Sequence, residues 1–485
     1  MIDIESKRIL VVGAGASGLA ATRLLVSRGA TVCLVDEFEP RLSPATRAEL
    51  EWLGVGLHFS VTSLEFGEWD LAIVSPGVSP DSMLGSELQR VACPVMGEVE
   101  LASQLYTGKV VAITGTNGKT TTTRLVDSVM RDLGWRSKAA GNIGFPFAQL
   151  VSKAPVPDWV ALELSSFQLE SVNHFHPETA VLLNLAPDHL DRYQSEERYY
   201  RSKARIFEQQ DCSDWAVVQF EALAQLASLG IRPKAQVLTF SSQDTRADLY
   251  YARGYIVSQI PGWSGIVYDM RQGLLSGSHN AENVMAALLV SYTLGMPLSD
   301  VQISMMNFRA DAHRFEVLPT ESGVVFVNDS KATNPASMRA AIEASKEMRE
   351  PKGRLWLLAG GVSKGLSFQG LESLIHEHVD GLFLFGESRD EMSAVLGGGK
   401  LCFVNETLRE SLDCIFQRIE KGDLVLFSPG CASFDQFRDY QDRGNTFKQT
   451  VKELLAVKNQ SLGRRHHARF NVERDATRSE NLQFA

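Results

Sequence analysis

Short apolar runs alternate with longer amphipathic stretches along most of the chain. The runs, such as "RILVV", "VVAIT" and "LVLF", are rich in Val, Ile and Leu, and the stretches between them carry apolar residues at helical spacing. Continuous apolar runs are typical of strands buried on both faces of a sheet, and their alternation with helices is typical of parallel sheets. The pattern therefore predicts an α/β protein in which helices cover parallel sheets.

This strand–loop–helix pattern restarts twice, at "KVVAITG" and again after "FRADAHRFEV". A chain of 485 residues is also too long for a single core, because single domains stop growing at roughly 250 to 300 residues. We expect three domains, at residues 1–97, 98–311 and 312–460. The remaining residues, 461–485, carry many charges and no apolar period, which predicts a mobile tail.

A glycine-rich loop follows the first predicted strand in "VVGAGASG". Gly13, Gly15 and Gly18 precede an apolar-periodic segment, so the loop should present backbone N–H groups at a helix N-terminus, where an anion is stabilised. Asp36 ends the next predicted strand about 20 residues later, the position that reads a ribose in dinucleotide-binding folds. The loop alone leaves three alternatives open: NAD, another nucleotide, or a purely structural turn.

A second loop, "ITGTNGKTTTTR", has the Gly-Lys-Thr ending of a phosphate-binding loop. The usual Gly-x-x-x-x-Gly-Lys-Ser/Thr spacing fails, because Ile113 stands at the position of the first glycine. A buried strand nevertheless leads into Gly115 and Gly118, and an amphipathic helix follows. Lys119 can neutralise phosphate oxygens, and the Thr120 hydroxyl can bind a magnesium ion. This loop therefore predicts a metal–nucleotide site.

Polar residues at the ends of two later strands could complete such a site. Glu163 closes "WVALE", where its carboxylate could bind the same magnesium ion, and Asp188, His189 and Asp191 follow the next strand in "NLAPDHLDRY". An isolated glutamate at a strand end is more often a solvated rim residue, and a lone histidine is usually a hydrogen-bonded surface or core group. The residues alone leave both interpretations open.

Composition narrows the class of ligand. The formal net charge of −10 and the pI near 5.6 argue against a general surface for nucleic acid or anionic membranes, and favour a small phosphorylated ligand. The six cysteines form no Cys-x-x-Cys or zinc-type pair. No apolar run approaches the roughly 20 residues of a membrane span, and the N-terminus lacks a signal-peptide pattern. We expect a soluble, cytoplasmic protein with reduced cysteines.

A series of motifs follows in order from about residue 8 to 455: "GTNGKTTTT", "GNIG", "ELSSFQLE", "NLAPDHLDRY", "YYRSKARIF", "HNAEN", "HRFE", "NDSKATNP", "LLAGGVSKG" and "SPGCASFDQF". In this order the chain resembles the Mur ligases, and within them the branch that adds D-glutamate, because sibling ligases differ at "NDSKATN" and "SPGCASFDQF". The resemblance implies three α/β domains: an N-terminal Rossmann-like domain for the UDP of the substrate, a central P-loop-type ATP-binding domain with a shortened loop, and a C-terminal Rossmann-like domain for the amino acid. Two nucleotides would explain two glycine loops.

The resemblance also implies a reaction, the ATP-dependent formation of an amide bond in peptidoglycan precursor synthesis, and hence a role in cell-wall biogenesis, cell shape and cell division. The terminal carboxylate of UDP-N-acetylmuramoyl-L-alanine would attack the γ-phosphate of ATP, and the amine of D-glutamate would displace phosphate from the acyl phosphate. Two Mg²⁺ ions are implied, which with fixed cations offset the repulsion between the reacting anions. No nucleic-acid or membrane partner is implied, and we expect a monomer.

Roles around ATP and magnesium follow from the resemblance residue by residue. Lys119 would hold the phosphates, Thr120 and Glu163 one magnesium ion, and His189 with Lys203 the second. Lys203 matches a lysine that the family carbamylates, which turns a cation into an oxygen ligand, whereas the pattern alone favours an exposed helix lysine. The other residues implied at the ATP site are Gly115, Thr116, Asn117, Gly118, Asn142, Asn280, Asn283, Arg314, Asp329 and Lys331.

Further residues are implied at the two other substrates. Those at D-glutamate are Thr333, Lys364, Ser433, Phe434 and Tyr440. Those at the UDP substrate are Ser17, Asp36, Ser75 and Gly77. Phe38 stands where some relatives place an arginine, which leaves the uracil and pyrophosphate contacts there open.

Three other functions stay open at this point. A sibling ligase that adds L-alanine, a diamino acid or a dipeptide would share most of the motifs. An NAD-dependent oxidoreductase would use the first glycine loop but leave "GTNGKT" and the third domain without a role. A non-catalytic protein that binds a UDP-sugar would have a degenerate ATP site, whereas every expected polar residue is present.

Overall fold

The computed structural model describes residues 2–64, 67–189, 192–275, 277–309, 311–320, 322–346 and 348–458, without the side chains of Ser278 and His279. The predicted tail, 461–485, and the candidate Asp191 lie outside the described residues. The described residues divide into two compact units, one ending at Arg309 and the other beginning after it. The first unit contains two sheets and the second contains one, so the predicted α/β class is confirmed. The domain boundaries at residues 97 and 311 stay predictions.

The first sheet has five parallel strands: β1 (Arg8–Val12), β2 (Thr31–Asp36), β3 (Gly56–Phe59), β4 (Leu71–Val74) and β5 (Val95–Gly97). Helices α1 (Ala16–Ser27), α2 (Pro44–Trp52) and α3 (Met83–Leu88) connect them. The strand order, β3-β2-β1-β4-β5, reverses between β1 and β4. Ligands of such sheets bind at this switch point, beyond the carboxyl ends of the strands. The loops that follow β1 and β4 therefore form the crevice.

The second sheet has nine strands: β6 (Lys109–Thr114), β7 (Ser137–Gly141), β8 (Trp159–Glu163), β9 (Thr179–Leu182), β10 (Trp215–Gln219), β11 (Gln236–Ser241), β12 (Leu249–Ala252), β13 (Tyr255–Ser258) and β14 (Gly265–Asp269). Its helices are α4 (Glu98–Leu105), α5 (Lys119–Asp132), α6 (Phe147–Val151), α7 (Ser166–Leu169), α8 (Glu196–Ala204) with a 3₁₀ turn at Arg205–Phe207, α9 (Phe220–Ser228), α10 (Ser278–Thr293) and α11 (Leu298–Asn307). The order is β14-β13-β12-β11-β10-β9-β6-β8-β7. Because β6 lies between the parallel strands β8 and β9, the loops after these three strands meet at one edge.

The apolar pattern predicts β6 of this sheet but not its last three strands. The run "VVAIT" forms β6 as predicted. Strands β12, β13 and β14 pair antiparallel with one another, and their side chains are partly exposed. A half-exposed strand carries no continuous apolar run, which is why this part of the sequence gives a weak strand pattern.

The third sheet, in the second unit, has six strands: β15 (Glu316–Leu318), β16 (Val325–Asn328), β17 (Leu355–Gly360), β18 (Gly381–Phe385), β19 (Leu401–Val404) and β20 (Leu424–Phe427). Helices α12 (Pro335–Lys346), α13 (Glu372–His378), α14 (Arg389–Leu396) and α15 (Leu408–Phe416) cover it, and residues 440–458 are also helical. The order is β15-β16-β20-β17-β18-β19, parallel except for β15. The loops after β16, β20 and β17 are therefore neighbours at one edge.

The first two sheets share one hydrophobic core. Helices α1, α4 and α6 pack against one another, and Leu24, Leu105 and Phe147 are buried in this core. Glu98, the first residue of α4, is also buried and accepts a hydrogen bond from the backbone N–H of Ala148 at 2.5 Å. Burial raises the pKa of the Glu98 carboxyl to about 7. A shared core explains why both sheets belong to one compact unit.

Within the described residues, no helix is long and apolar enough to cross a membrane.

Candidate active site

The glycine loop after β1 lies at the switch point of the first sheet. Gly15 is the N-cap of α1, and no atom lies within 4 Å of the place where its Cβ would stand. A Cβ on Gly18 would lie 1.8 Å from the carbonyl oxygen of Gly13, so only glycine lets α1 approach the loop so closely. The first turn of α1, with the half-buried Ser17, thus begins at the crevice with an open N-cap, an arrangement that suits phosphate groups.

Two of the predicted substrate residues hold this loop in place. The Asp36 carboxylate accepts hydrogen bonds from the backbone N–H groups of Ala14 at 2.7 Å and of Phe38 at 3.0 Å. The buried hydroxyl of Ser75 donates to the carbonyl oxygen of Gly13 at 2.9 Å. Each residue therefore connects the loop after β1 to the end of a neighbouring strand, β2 or β4. Phe38, which stands where some relatives place an arginine, is itself 70% exposed.

The phosphate loop connects β6 to α5 without the first glycine of the usual pattern. Gly118 has a left-handed φ of +83°, and a Cβ there would lie 2.2 Å from Oδ1 of Asn283, so this position requires glycine. Helix α5 begins at the next residue, Lys119. Its amino group donates to the carbonyl oxygens of Gly115 at 2.8 Å and Thr116 at 2.7 Å. The lysine thus lies directly on the loop whose phosphate it is expected to neutralise.

Asn184, which the sequence reasoning missed, fixes this loop from the end of β9. Its Oδ1 accepts from the backbone N–H of Asn117 at 2.8 Å, and its Nδ2 donates to the carbonyl oxygen of the same residue at 3.2 Å. The Thr116 hydroxyl donates to the carbonyl oxygen of Ala186 and accepts from its N–H, both at 3.0 Å. Hydrogen bonds from side chains thus hold this loop, which lacks the first glycine of the usual pattern. The only sequence signal for Asn184 is an asparagine directly after a buried strand.

Lys203 lies on the buried face of α8 and is 1% exposed, so the exposed lysine that the pattern alone favours is wrong. Tyr199, four residues earlier, is buried on the same face, and the Lys203 amino group lies 4.6 Å from its ring centre. That amino group donates to the carbonyl oxygen of Gly115 at 2.8 Å. Burial and the nearby charge of Lys119 lower the pKa of the Lys203 amino group well below its usual value. A neutral amine in this position is a nucleophile.

Glu163 is also buried, so the solvated rim residue is wrong as well. Its Oε1 accepts a hydrogen bond from Nδ2 of Asn142 at 3.0 Å, whereas Oε2 is buried without a hydrogen-bond partner among the described residues. A buried carboxylate oxygen without a partner is costly unless a cation or donor satisfies it. The half-buried Thr120 follows Lys119 in the first turn of α5. The donor set thus fits a hard cation such as Mg²⁺.

His189 sits at the end of the loop after β9 with an unusual backbone. Its φ is +54°, a left-handed value that costs energy in a residue other than glycine. The imidazole packs edge-on against Phe167, with ring centres 4.9 Å apart, and Nε2 lies 3.9 Å from Oδ2 of Asp188. Across the described residues no three His, Cys, Asp or Glu side chains come together as a metal site. Any metal here would therefore need hydroxyl, phosphate or modified-lysine oxygens as well.

Asn280 and Asn283 lie on α10, which packs against the phosphate-loop helix α5. Oδ1 of Asn283 accepts from the Thr122 hydroxyl of α5 at 3.1 Å, and its Nδ2 donates to Oδ1 of Asn280 at 3.1 Å. Both asparagines are buried. Asn283 therefore joins α10 to α5, close to Gly118 of the loop.

In the second unit, Asp329 lies directly after β16 and is half-buried. Its carboxylate accepts from the backbone N–H of Phe315 and from the Ser428 hydroxyl, each at 3.1 Å. Burial raises the pKa of this carboxyl to about 7. Arg314 lies between two residues of positive φ, His313 at +69° and Phe315 at +49°. Backbone strain of this kind often marks functional loops.

Arg443, in the helical segment 440–458, was also missed by the sequence reasoning. It is fully buried, and its guanidinium donates to the carbonyl oxygens of Ser330 at 2.8 Å, Ala432 at 3.1 Å and Gly360 at 3.4 Å. Ser330 and Ala432 follow β16 and β20, and Gly360 is the last residue of β17. One side chain therefore joins the three loops in which the remaining predicted residues lie. An arginine in a helical segment gives no signal that distinguishes it from a surface residue.

Four of the residues predicted at D-glutamate lie on these loops, and the fifth, Tyr440, begins the helical segment 440–458. Val362 and Ala432 pair through their backbones at 3.0 and 2.9 Å, which draws together the loops that carry Lys364 and Ser433. Lys364 has a φ of +54°, and Ser433 is buried. Thr333 is half-buried and Phe434 is exposed. Of the residues predicted at ATP, Arg314 is half-buried, and the amino group of Lys331 lies 4.0 Å from the ring centre of Tyr440.

Two protein-family models match the chain. The Mur ligase middle domain matches residues 113–291, and the Mur ligase glutamate ligase domain matches residues 313–431. Together they cover more than half of the chain.

Curated relatives match over nearly the whole chain. A UDP-N-acetylmuramoylalanine–D-glutamate ligase from Koribacter versatilis is 36% identical over 463 residues, with 93% of this chain and 99% of the relative covered. The ligase of the same name from Geobacter metallireducens is 35% identical over 454 residues, with the same coverage.

Solved structures share the fold at lower identity. A UDP-N-acetylmuramate–alanine ligase from Thermotoga maritima has a TM-score of 0.58 at 20% identity and covers 92% of this chain and 99% of its own. A MurF ligase from the same organism, in complex with ADP, has a TM-score of 0.59 at 18% identity, covering 94% and 100%.

Proposed function

The chain belongs to the Mur ligase family, and on this premise we propose that it joins D-glutamate to UDP-N-acetylmuramoyl-L-alanine at the expense of ATP, in peptidoglycan precursor synthesis. The observation that carries the proposal is an identity of 34–37% over 93% of the chain to ligases named for this reaction. The family membership accounts for both nucleotide loops and for the third sheet, which an NAD-dependent oxidoreductase would leave without a role. A sibling specificity is the remaining alternative, and it is testable.

The reaction needs activation because a carboxylate is a poor acylating agent. The terminal carboxylate of the UDP substrate attacks the γ-phosphorus of ATP and releases ADP, and the amine of D-glutamate then attacks the acyl phosphate and releases phosphate. Both steps bring anions together, so positioned cations supply most of the rate enhancement. In this chain Lys119 is the cation that lies on the phosphate loop.

Magnesium fits the residues around this loop. Glu163, through its buried Oε2, and Thr120, through its hydroxyl, would hold one ion, and His189 with a modified Lys203 would hold a second. Bound Mg²⁺ supplies charge neutralisation and orients phosphate oxygens. Asn142 orients the Glu163 carboxylate by its hydrogen bond to Oε1.

We further propose that Lys203 carries a carbamate. A carbamate forms when a neutral amine attacks carbon dioxide, and burial together with Lys119 favours the neutral amine by lowering the pKa of Lys203. The product is an anion, which would relieve the repulsion between two lysines that share the Gly115 oxygen.

The other two substrates are assigned to the remaining sheets. The first sheet is proposed to be a Rossmann-like domain that holds the UDP group at the open N-cap of α1, with Ser17, Asp36, Ser75 and Gly77 around it. The domain of the third sheet is proposed to hold D-glutamate at Thr333, Lys364 and Ser433, beside Phe434 and Tyr440. It is also proposed to supply Arg314, Asp329 and Lys331 to ATP. Six unpaired cysteines support a reducing, cytoplasmic location, and a monomer is proposed.

An amino-acid panel tests the function directly. Phosphate release is measured with UDP-N-acetylmuramoyl-L-alanine, ATP and Mg²⁺ while D-glutamate, L-glutamate, D-glutamine and a diamino acid are added in turn, and UDP-N-acetylmuramate with L-alanine is included as a sibling reaction. Release with D-glutamate alone is the expected result. A clear preference for another pair would assign the chain to a sibling specificity, and reduction of NAD with no phosphate release would overturn the ligase.

A further inference from the structure

The first two sheets are joined differently at two places. At one, helices α1, α4 and α6 form the shared hydrophobic core. At the other, a cavity of about 570 Å³ lies between residues 79–81, in the loop after β4, and two arginines of the second sheet's part, Arg192 before α8 and Arg201 on α8. A cavity offers no close packing of side chains. Polar contacts must therefore fix the distance between the two sheets there.

Arg192 supplies such contacts to both sheets at once. Its Nη1 donates to the carbonyl oxygen of Pro76, in the loop after β4, at 3.0 Å, and its Nη2 donates to Oε2 of Glu170 at 2.7 Å. The guanidinium carbon also lies 4.1 Å from the ring centre of Phe167. The side chain is only 17% exposed, so solvent competes weakly for these contacts. A planar, forked guanidinium can make all three contacts together, whereas a lysine ammonium cannot.

Both ends of this bridge touch residues of the proposed reaction. Pro76 lies between Ser75 and Gly77, which are assigned to the UDP substrate. On the other side, Phe167 packs edge-on against the His189 imidazole, with ring centres 4.9 Å apart. The backbone N–H of Arg192 donates to the carbonyl oxygen of His189 at 3.0 Å, which helps to hold the strained backbone there.

We propose that Arg192 is a positioning residue that fixes the loop after β4 relative to the His189 imidazole. It thereby sets where the carboxylate of the UDP substrate stands relative to the phosphates on the loop after β6. The inference rests on the proposed function and adds to it a residue that acts through Pro76 and Phe167. Misplacement of reacting groups by about 1 Å can cost about 100-fold in rate.

Two substitutions at this position and one control test the role. Arg192→Lys keeps the charge and loses the fork, and Arg192→Met keeps part of the apolar stem and loses every polar contact of the side chain. Arg201→Met is the matched control, because Arg201 lines the same cavity, pairs with Glu197 at 2.8 Å and donates to the carbonyl oxygen of Leu229 at 3.0 Å. Within the described part of the chain its side chain bonds neither Pro76 nor Phe167. For each variant, kcat, the KM of each substrate, ATP affinity and the unfolding temperature are measured.

The expected result is a graded loss in kcat/KM for the UDP substrate, about tenfold for Arg192→Lys and about 100-fold for Arg192→Met. ATP affinity should stay within about twofold, and Arg201→Met should match the wild type in every kinetic parameter. Wild-type kinetics in Arg192→Met, or an equal loss of ATP affinity, would overturn the proposal. If Arg192→Met fails to fold, the kinetics of Arg192→Lys replace it: wild-type kinetics, or an equal loss of ATP affinity, would then overturn the proposal. Failure of the wild type to use D-glutamate would instead overturn the proposed function.

Discussion

The amino groups of Lys119 and Lys203 donate to the same carbonyl oxygen, that of Gly115, each at 2.8 Å. Two ammonium groups so close together repel, and burial selects Lys203 as the one that favours the neutral form. Lys119 then remains as the cation on the phosphate loop. One carbonyl oxygen thus accepts from two lysines with different proposed roles, Lys119 in phosphate binding and Lys203 in carbamate formation.

Lys119→Ala should reduce phosphate release by more than about 100-fold, because the developing charge on the transferred phosphate loses its fixed cation. Binding of the UDP substrate, measured by calorimetry without ATP, should change by less than about twofold, since the glycine loop after β1 is separate from the loop after β6. Lys109→Ala is the control, because Lys109 is an exposed residue at the opposite end of β6. Equal losses of phosphate release and of UDP-substrate affinity in a folded Lys119→Ala variant would show that the two loops do not act separately.

Lys203→Ala should be inactive and should recover partly when formate, acetate or propionate is added. The truncation leaves space in which a small carboxylate can replace the oxygens of the proposed carbamate. Lys203→Met should be inactive without recovery, because its side chain fills the same space. Rates at increasing acid concentration distinguish the two variants. Full activity of either variant without added acid would reject the role of the lysine.

Lys364→Ala should raise the KM of D-glutamate, because a lost hydrogen bond to a charged group costs about 1.5–3 kcal/mol, or roughly tenfold to 100-fold. The KM values of ATP and the UDP substrate should stay within about twofold. Lys364→Gly separates charge from backbone strain, because glycine tolerates the φ of +54° at this position. Steady-state rates with one substrate varied at a time provide the measurement, with the exposed Lys352 changed to Ala as the control. A defect confined to ATP would reassign Lys364 to the phosphates.

Glu98→Gln should stabilise the protein at alkaline pH and have little effect in acid. The pKa of this carboxyl is raised from 4.5 to about 7 in the folded state by burial. Between these two values the folded state binds more protons than the unfolded state, so the free energy of unfolding falls as pH rises through this window. Glutamine cannot ionise and avoids that loss. Urea unfolding at pH near 8 and near 4.5 measures the difference.

Glu49→Gln is the matched control for that experiment. Glu49 accepts hydrogen bonds from Arg23 at 2.7 and 2.8 Å on the surface, and the arginine lowers the pKa of its carboxyl. Its substitution should therefore give a small change of opposite sign at pH near 8. A stabilisation by Glu98→Gln that is the same at both pH values would show that charge burial is not its cause.

The alternation of apolar runs with amphipathic stretches predicted the α/β class and the buried strands, because a strand covered on both faces must be continuously apolar. The runs that became β1, β6 and β20 are examples. The spacing of glycines likewise identified both loops, since Gly18 and Gly118 stand where a Cβ would collide with a neighbouring atom. These features depend on local sequence, and so a single chain reveals them.

The environment of each polar side chain was decided by tertiary structure. Lys203 and Glu163 read as exposed residues by their local pattern, yet α8 and β8 bury both beside the phosphate loop. Arg192 and Arg443 gave no signal, and Asn184 gave only its position after a buried strand, because each acts on backbone atoms that are distant in sequence. Burial, hydrogen-bond partners and the resulting pKa shifts depend on which segments meet in space, and periodicity along the chain carries no information about that.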